Sequence, residues 1–108
     1  MKLNEMAKLE KYLIEKKIRY QRIDKEYREC GGVSLCEERH QVIVYDNDGN
    51  RTWDAICQPY SYGYEEGLLE VMGREVTDSE DGVEGYLSAA EIIRRLEERN
   101  AEQGMSVV

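Results

Sequence analysis

The stretch that most constrains this fold runs from residue 41 to residue 57. Two β-rich runs, QVIVY and TWDAIC, flank the sequence DNDGN. Asp48 and Gly49 predict a tight type I′ turn between them, because glycine adopts a positive φ angle without strain and aspartate tolerates one. We therefore expect a β-hairpin here.

A two-residue turn at this position also predicts which side chains face each other. The expected cross-strand pairs are Val44 with Trp53, Val42 with Ala55, Tyr45 with Thr52, and Ile43 with Asp54. One face of the hairpin is then apolar and continues to Cys57, whereas the other face is mixed. Trp53 is expected to anchor the core beneath a helix.

Helical spacing of apolar residues appears on both sides of the hairpin. It predicts one helix over residues 5–16 and a second within the run YLSAAEIIRRLEER. The second begins with a capping box, in which the Ser88 hydroxyl bonds the Glu91 amide and the Glu91 side chain returns to the Ser88 amide. Between the first helix and the hairpin, alternation over residues 18–24 predicts a strand that pairs antiparallel with the hairpin.

The other segments have weaker patterns. Residues 25–40 contain Gly31-Gly32 and have no clean period, so we predict a loop with a short extended piece at Val33 and Leu35. Residues 65–72 fit a short helix ending before Gly73, with a strand as the alternative. Residues 74–85 read as an acidic surface loop, and residues 101–108 as a frayed tail.

These elements predict one α+β domain over residues 1–100. It would contain a small antiparallel sheet of three or more strands, packed with N- and C-terminal helices. A chain of 108 residues has room for a single core. There is no run of 18 apolar residues and no signal-peptide pattern, so we expect a cytoplasmic protein that does not enter a membrane.

Charge is distributed unevenly along the chain. The net charge is −8, and residues 1–28 contribute +4 (nine Lys/Arg, five Asp/Glu) while residues 29–108 contribute −12 (six and eighteen). Residues 65–84 hold eight acids and one arginine. Such a surface repels nucleic acid and attracts basic partners, so we expect no direct nucleic-acid binding. The alternative interpretation is that the charge serves solubility alone.

Two strings resemble a known group of proteins: WDAICQPYSYGYEEGLLEVMG at residues 53–73, and DGVEGYLSAAEII at residues 81–93. Together they resemble short proteins encoded by phages and prophages of Firmicutes. Those proteins have Thr where Ser88 stands here, and either residue caps a helix. The resemblance implies a mobile-element setting in a bacterial host cell and a small α+β fold, and it supplies no catalytic residues.

Polar, aromatic and glycine residues collect between Gln58 and Glu66 without a packing reason. We take them, with the neighbouring Asp54, as the candidate binding site: Asp54, Tyr60, Ser61, Tyr62, Gly63, Tyr64, Glu65 and Glu66. Tyrosines provide large rigid contact areas for protein recognition, and they also stack on bases. For a signalling nucleotide, the amides of Tyr62, Gly63 and Tyr64 could hold phosphate, although Glu65 and Glu66 oppose it.

Other chemistries have weaker support. Four residues could ligate zinc, but their spacing is not that of a standard zinc motif: Cys30, Cys36, His40 and Cys57. Residues 46–50 resemble the start of a calcium loop, yet its twelfth position is Cys57, so the hairpin is favoured. The one histidine, His40, could approach Cys57 or Cys36 in space, but nothing in the sequence requires it, so we predict no enzymatic activity and no cofactor.

The leading hypothesis is a non-enzymatic phage or prophage accessory protein that binds a host component. Its acidic, tyrosine-rich surface would contact a basic host protein and inhibit a host defence system. The alternatives are a protein that sequesters a signalling nucleotide, and a small zinc-stabilised structural protein. The oligomeric state, including a homo-oligomer, is left open.

Overall fold

A computed structural model describes the backbone of residues 4–25, 28–30, 33–36 and 39–107, and the side chains of residues 4–25 and 39–100. The elements along these residues are α1 Asn4–Glu15, β1 Tyr20–Lys25, β2 Arg28–Cys30, β3 Val33–Cys36, β4 Arg39–Tyr45, β5 Arg51–Ile56, the 3₁₀ turn Tyr64–Glu66, β6 Leu69–Met72, β7 Val83–Leu87 and α2 Ala89–Val107.

Five strands form one antiparallel sheet in the order β1-β4-β5-β6-β7, and β2 pairs with β3 in a separate two-stranded sheet. The predicted α+β fold is therefore confirmed. The antiparallel pairing of β1 with the hairpin is confirmed too, with Tyr20 opposite Val44 and Asp24 opposite His40. Within the described residues, no helix has the length and apolar composition needed to span a membrane.

The core lies where both helices meet one face of the sheet. Helix α1 buries Met6, Leu9, Tyr12 and Leu13, the spacing of a single helical stripe. From the sheet and α2 the buried partners are Val42, Val44, Trp53, Ala55, Cys57, Leu69, Val71, Leu87, Ala89 and Ile92. Trp53, with 4% of its surface exposed, is a core residue as predicted.

The hairpin register is confirmed for three of the four predicted pairs, but the turn differs. Val44 faces Trp53, Val42 faces Ala55 and Ile43 faces Asp54, whereas Tyr45 faces Arg51 rather than Thr52 because the register shifts after Val44.

The predicted type I′ turn is wrong. Asp48 does not have the positive φ that this turn requires, while Gly49 does, at 86°. Gly49 donates to the Asp46 carbonyl at 3.1 Å and Asp46 to the Asn50 carbonyl at 2.9 Å, which is a type I turn followed by a glycine bulge. The Asp46 carboxylate favours this turn over the type I′ turn, because it accepts hydrogen bonds from the backbone amides of Asp48 at 2.9 Å and Asn50 at 2.8 Å. The bond from the Asn50 amide is the largest of the effects that hold the pKa of Asp46 below its ordinary value.

The helix predicted over residues 65–72 is wrong, and the strand alternative is right. Gly67 has a positive φ of 73° and ends the 3₁₀ turn Tyr64–Glu66 after a single turn. The chain then continues as β6, in which Leu69 and Val71 are buried while Met72 is exposed. That alternation has the period of a strand, and β6 pairs with both β5 and β7.

Two predicted loops also contain strands. Residues 25–40 include β2, β3 and the start of β4, so only the short extended piece at Val33 and Leu35 is confirmed there. Gly31 and Gly32 lie outside the described residues. The acidic loop predicted over residues 74–85 ends early, because β7 begins at Val83.

Helix α2 begins as predicted, with the Ser88 hydroxyl accepting the Glu91 amide at 3.1 Å. The other half of the capping box differs: the Glu91 carboxylate bonds Arg94 and Arg95 rather than returning to the Ser88 amide. Glu5 of α1 instead contributes to this helix start, accepting the Ala89 amide at 2.9 Å. The helix continues to Val107, and fraying of its last turns stays a prediction.

Candidate functional site

The segment between β5 and β6 begins with a tight turn over residues 58–61. The Ser61 amide donates to the Gln58 carbonyl at 2.9 Å. The Ser61 hydroxyl also donates to that carbonyl, at 2.7 Å, and accepts the Gln58 amide at 3.0 Å. Pro59 occupies the second position, which suits its fixed φ, and Tyr60 occupies the third with a φ of 73°. These bonds hold the turn in one conformation.

Tyr60 stands in a position that normally takes glycine. A left-handed conformation costs a residue with a Cβ about 1–2 kcal/mol. The ring recovers none of this by packing, because Tyr60 is fully exposed at 102%. Backbone strain of this kind persists where surrounding contacts hold it, and it is concentrated at functional sites.

Gly63 and Gly67 bracket the 3₁₀ turn that follows, with φ angles of 96° and 73°. A side chain at Gly63 would lie 2.9 Å from the Leu68 Cβ and 3.1 Å from the Tyr86 backbone, so only glycine fits there. The turn directs Glu65 and Glu66 into solvent. Neither carboxylate forms an ion pair with a described residue.

Strand β7 brings a further tyrosine to this loop. The pairing of β6 with β7 shifts between Leu69 and Val71, so Tyr86 lies in a bulge with a φ of 58°. The Tyr86 ring stacks on Tyr62, with centroids 6.4 Å apart and planes inclined by 30°. The Tyr86 amide donates to the Tyr62 carbonyl at 3.3 Å. Gly85 permits this approach, since a Cβ there would lie 2.2 Å from the Tyr62 Cβ.

We call the resulting surface the tyrosine face; it consists of Tyr60, Tyr62, Tyr86, Glu65 and Glu66. The rings of Tyr62 and Tyr86 are 62% and 60% exposed. Beside them lies an open cavity of about 410 Å³, lined by Pro59, Tyr60, Ser61, Tyr62, Gly63, Tyr64, Glu65, Glu66 and Tyr86. The structure thus brings together seven of the eight predicted site residues.

The backbone amides proposed for phosphate are largely occupied. The Tyr62 amide donates to the Glu70 carboxylate at 2.9 Å, and the Tyr64 amide donates to the Ser61 carbonyl at 3.2 Å. No lysine or arginine lines this cavity among the described residues. The arrangement therefore suits a basic or neutral protein surface better than a phosphate group.

Asp54, the eighth predicted residue, is placed elsewhere. It is buried on the sheet face opposite the helices, where its carboxylate accepts the Gln41 side-chain amide at 2.8 Å and lies 3.2 Å from Arg51. Arg39 donates to the same Gln41 side chain at 3.0 Å. Asp54 does not line the cavity beside the tyrosine face, and its contacts account for it structurally.

The zinc hypothesis gains little from the described part of the chain. Cys57 is buried, and its backbone amide donates to the His40 carbonyl at 3.0 Å, while His40 Nδ1 lies 2.8 Å from Asp24. No group of three or more candidate ligands that could hold a metal occurs there. The side chains of Cys30 and Cys36 lie outside the described residues.

Comparison with family models, curated proteins and solved structures finds no match for this chain. Its function therefore has to be argued from its own residues.

Three residues of the site were missed from the sequence: Glu70, Gly85 and Tyr86. A glycine inside an alternating strand signals a bulge or a close backbone approach, and VEGYL at residues 83–87 has that pattern. The acidic composition of residues 74–85 and the helical spacing that begins at Tyr86 conceal this signal. Glu70 had no comparable signal, since its bond to the Tyr62 amide depends on the path of the loop.

Proposed function

We propose that this chain is a non-enzymatic binding protein that contacts a basic partner protein through the tyrosine face. The observation that carries the proposal is Tyr60, a fully exposed ring on a strained backbone position held by a hydrogen-bonded turn. A rigid, exposed aromatic side chain loses little entropy on binding and makes a strong contact. A loop that had only to connect β5 with β6 would be more stable with glycine at this position.

Electrostatics favours a basic partner. Glu65 and Glu66 flank the rings and form no ion pair with described residues, so a partner's lysines or arginines could bind them without breaking an existing contact. Charges at the rim of an interface chiefly raise the association rate and exclude like-charged partners. Net charge of −8 acts in the same direction at longer range.

The biological setting of the proposal comes from the resemblance to proteins of Firmicutes phages and prophages. In that setting the partner is a host protein, and we propose that binding it inhibits a host defence system. The face is small for a stable complex, so the partner must also contact neighbouring parts of the acidic segment 65–84.

The test is affinity capture from host lysate, with bound proteins quantified by mass spectrometry. The test variant combines Glu65→Lys and Glu66→Lys. The matched control combines Glu15→Lys and Asp48→Lys, which changes net charge equally at exposed positions outside both the tyrosine face and the acidic segment 65–84. Asp81 is unsuitable for charge reversal, because its carboxylate accepts the Ser79 hydroxyl and the Val83 amide.

We expect the wild type and the control to enrich the same basic protein and the test variant to lose it. If both variants lose the protein equally, binding depends on net charge alone and not on the tyrosine face. Equal retention would refute the role of the tyrosine face.

A further inference from the structure

A second concave surface lies apart from the tyrosine face, where the C-terminal end of α1, the β4–β5 turn and the distal half of α2 meet. It is an open groove of about 920 Å³. Five cationic side chains line it, Lys16, Lys17, Arg19, Arg74 and Arg99, together with the carboxylates of Asp46 and Glu75. The lining thus carries +5 − 2 = +3 in a chain whose net charge is −8.

Two of these cations form ion pairs, and three have no ion-pair partner among the residues whose side chains are described. Lys16 has Glu97 at 3.6 Å, and Arg99 has Asp78 at 3.1 Å. Lys17, Arg19 and Arg74 form no ion pair with any residue whose side chain is described. What sets these three apart from other surface cations that are unpaired among the described side chains, such as Lys11 and Lys25, is that they line one groove.

Lys17 occupies a strained position at the edge of the groove. Its φ is 57°. Two backbone hydrogen bonds end α1 here: the Lys17 amide donates to the Ile14 carbonyl at 3.1 Å, and the Ile18 amide donates to the Leu13 carbonyl at 2.9 Å. In this helix-ending motif the left-handed residue is usually glycine. Lysine here costs stability and places beside the groove an ammonium group that forms no ion pair with any described side chain.

The base and the sides of the groove are held by the fold. Trp53, Ile18 and Leu96 contribute apolar surface, and all three belong to the core or pack against it. Arg19 reaches the hairpin turn, with its guanidinium 3.6 Å from the position of a Cβ on Gly49. Arg99 fixes the Arg74 backbone by donating to its carbonyl at 2.8 Å. Charges beside low-dielectric apolar surface act on a bound anion more strongly than charges on an open surface.

We propose that this groove binds a small phosphorylated ligand, with Lys17, Arg19 and Arg74 contacting its phosphates. Guanidinium groups match phosphate oxygens in a bidentate manner, and three unpaired cations suit a ligand with several negative charges. The volume falls in the usual range for small-molecule sites, roughly 300–1,000 Å³. A long nucleic acid suits the groove less well, because its backbone would extend beyond the groove over a protein whose net charge is −8.

Binding of ATP and of inorganic triphosphate is to be measured by titration calorimetry in buffer of physiological ionic strength, with citrate as a non-phosphate trianion and oligoglutamate as an acidic peptide. The test variant is Arg19→Gln/Arg74→Gln, and the matched control is Lys8→Gln/Lys11→Gln, which removes the same charge from exposed positions of α1 outside the groove. We expect the dissociation constant for ATP or triphosphate to rise about tenfold or more in the test variant, and to stay within about twofold of the wild type in the control.

Lys17→Gly guards against misfolding as an explanation, since it should melt at or above the wild-type temperature and still weaken binding. Tighter binding of ATP than of triphosphate would mean that the nucleoside is also contacted. The proposal is overturned if neither phosphate compound binds at roughly millimolar concentration, if both variants weaken binding equally, or if citrate or oligoglutamate binds as tightly. None of these outcomes bears on the tyrosine face, which has no residue in common with the groove.

Discussion

Replacing Tyr60 by glycine should make the protein more stable while removing the residue on which the proposed binding function rests. The φ of 73° costs a residue with a Cβ about 1–2 kcal/mol, and glycine removes that cost. Against this, glycine gives the unfolded chain extra conformational freedom, worth about 0.4–1 kcal/mol. The ring is fully exposed, so its loss removes no packing. The net expectation is a gain of about 0.5–1 kcal/mol in the free energy of unfolding.

A thermal melt followed by circular dichroism measures this gain. For a domain near this size, about 1 kcal/mol corresponds to a rise of about 4–8 °C in the melting temperature, so we expect a rise of about 2–8 °C. The control is Tyr60→Ala, which also removes the ring but retains the Cβ and therefore the strain. It should stay within about 0.5 kcal/mol of the wild type.

Two results would refute this reasoning. If Tyr60→Gly lowers the melting temperature, the tyrosine contributes packing that the exposed ring does not account for. If Tyr60→Ala stabilises the protein as much as Tyr60→Gly does, the gain comes from removing the ring rather than from relieving the backbone.

Three further outcomes follow from the contacts of Glu84 and Gly85. Glu84→Gln should lower the free energy of unfolding, measured by urea titration, by about 1–2 kcal/mol. The reason is that the Glu84 carboxylate accepts two hydrogen bonds, at 2.9 and 2.8 Å, from Arg95, whose side chain is only 9% exposed. An unchanged urea midpoint would contradict this. The Arg95 hydrogen bonds also hold the pKa of Glu84 below its usual value. The ionised Glu84 carboxylate therefore contributes its full share to the free energy of unfolding above about pH 4.3, and this contribution is lost as the pH falls through the lower pKa of the folded state. Stability measured from pH 7 down to pH 3 should therefore fall below about pH 4, and less steeply in Glu84→Gln than in the wild type; equal slopes would show that other groups dominate. Gly85→Ala should cost about 1–3 kcal/mol, because its Cβ would lie 2.2 Å from the Tyr62 Cβ, and a fully stable variant would contradict the close contact of Gly85 with Tyr62.

Much of the fold could be predicted because its patterns are local. Alternation along β4 and β5 predicts which residues face the core, and the helical stripe of α1 is equally clear. The pair Val44 with Trp53 agrees with the prediction although the turn differs, because the register shift after Val44 compensates for the longer turn. The segment at residues 68–72 could not be assigned in the same way, because five residues fit a helix or a strand. There the left-handed Gly67 and the pairing of β6 with two neighbours decide the outcome, and neither is visible in a local pattern.

The candidate site was located from the sequence but not completed. Aromatic and glycine residues between Gln58 and Glu66 indicated the loop, yet its stacking partner Tyr86 lies 24 positions beyond Tyr62 and is brought there by the β6–β7 pairing. The basic groove was missed for a similar reason. Lys17 and Arg19 lie two positions apart, but Arg74 comes from a distant segment that the fold brings to the same groove, and the overall acidic composition conceals this proximity.

The measurement that tests the central claim most directly is capture from host lysate with Tyr60→Gly beside the wild type. This variant is expected to be at least as stable, so loss of binding could not be attributed to unfolding. The account predicts that the wild type enriches a basic host protein and that Tyr60→Gly loses it, with affinity reduced about tenfold or more once the partner is purified. Equal enrichment by both proteins, or no protein enriched by the wild type, would contradict the role assigned to the tyrosine face.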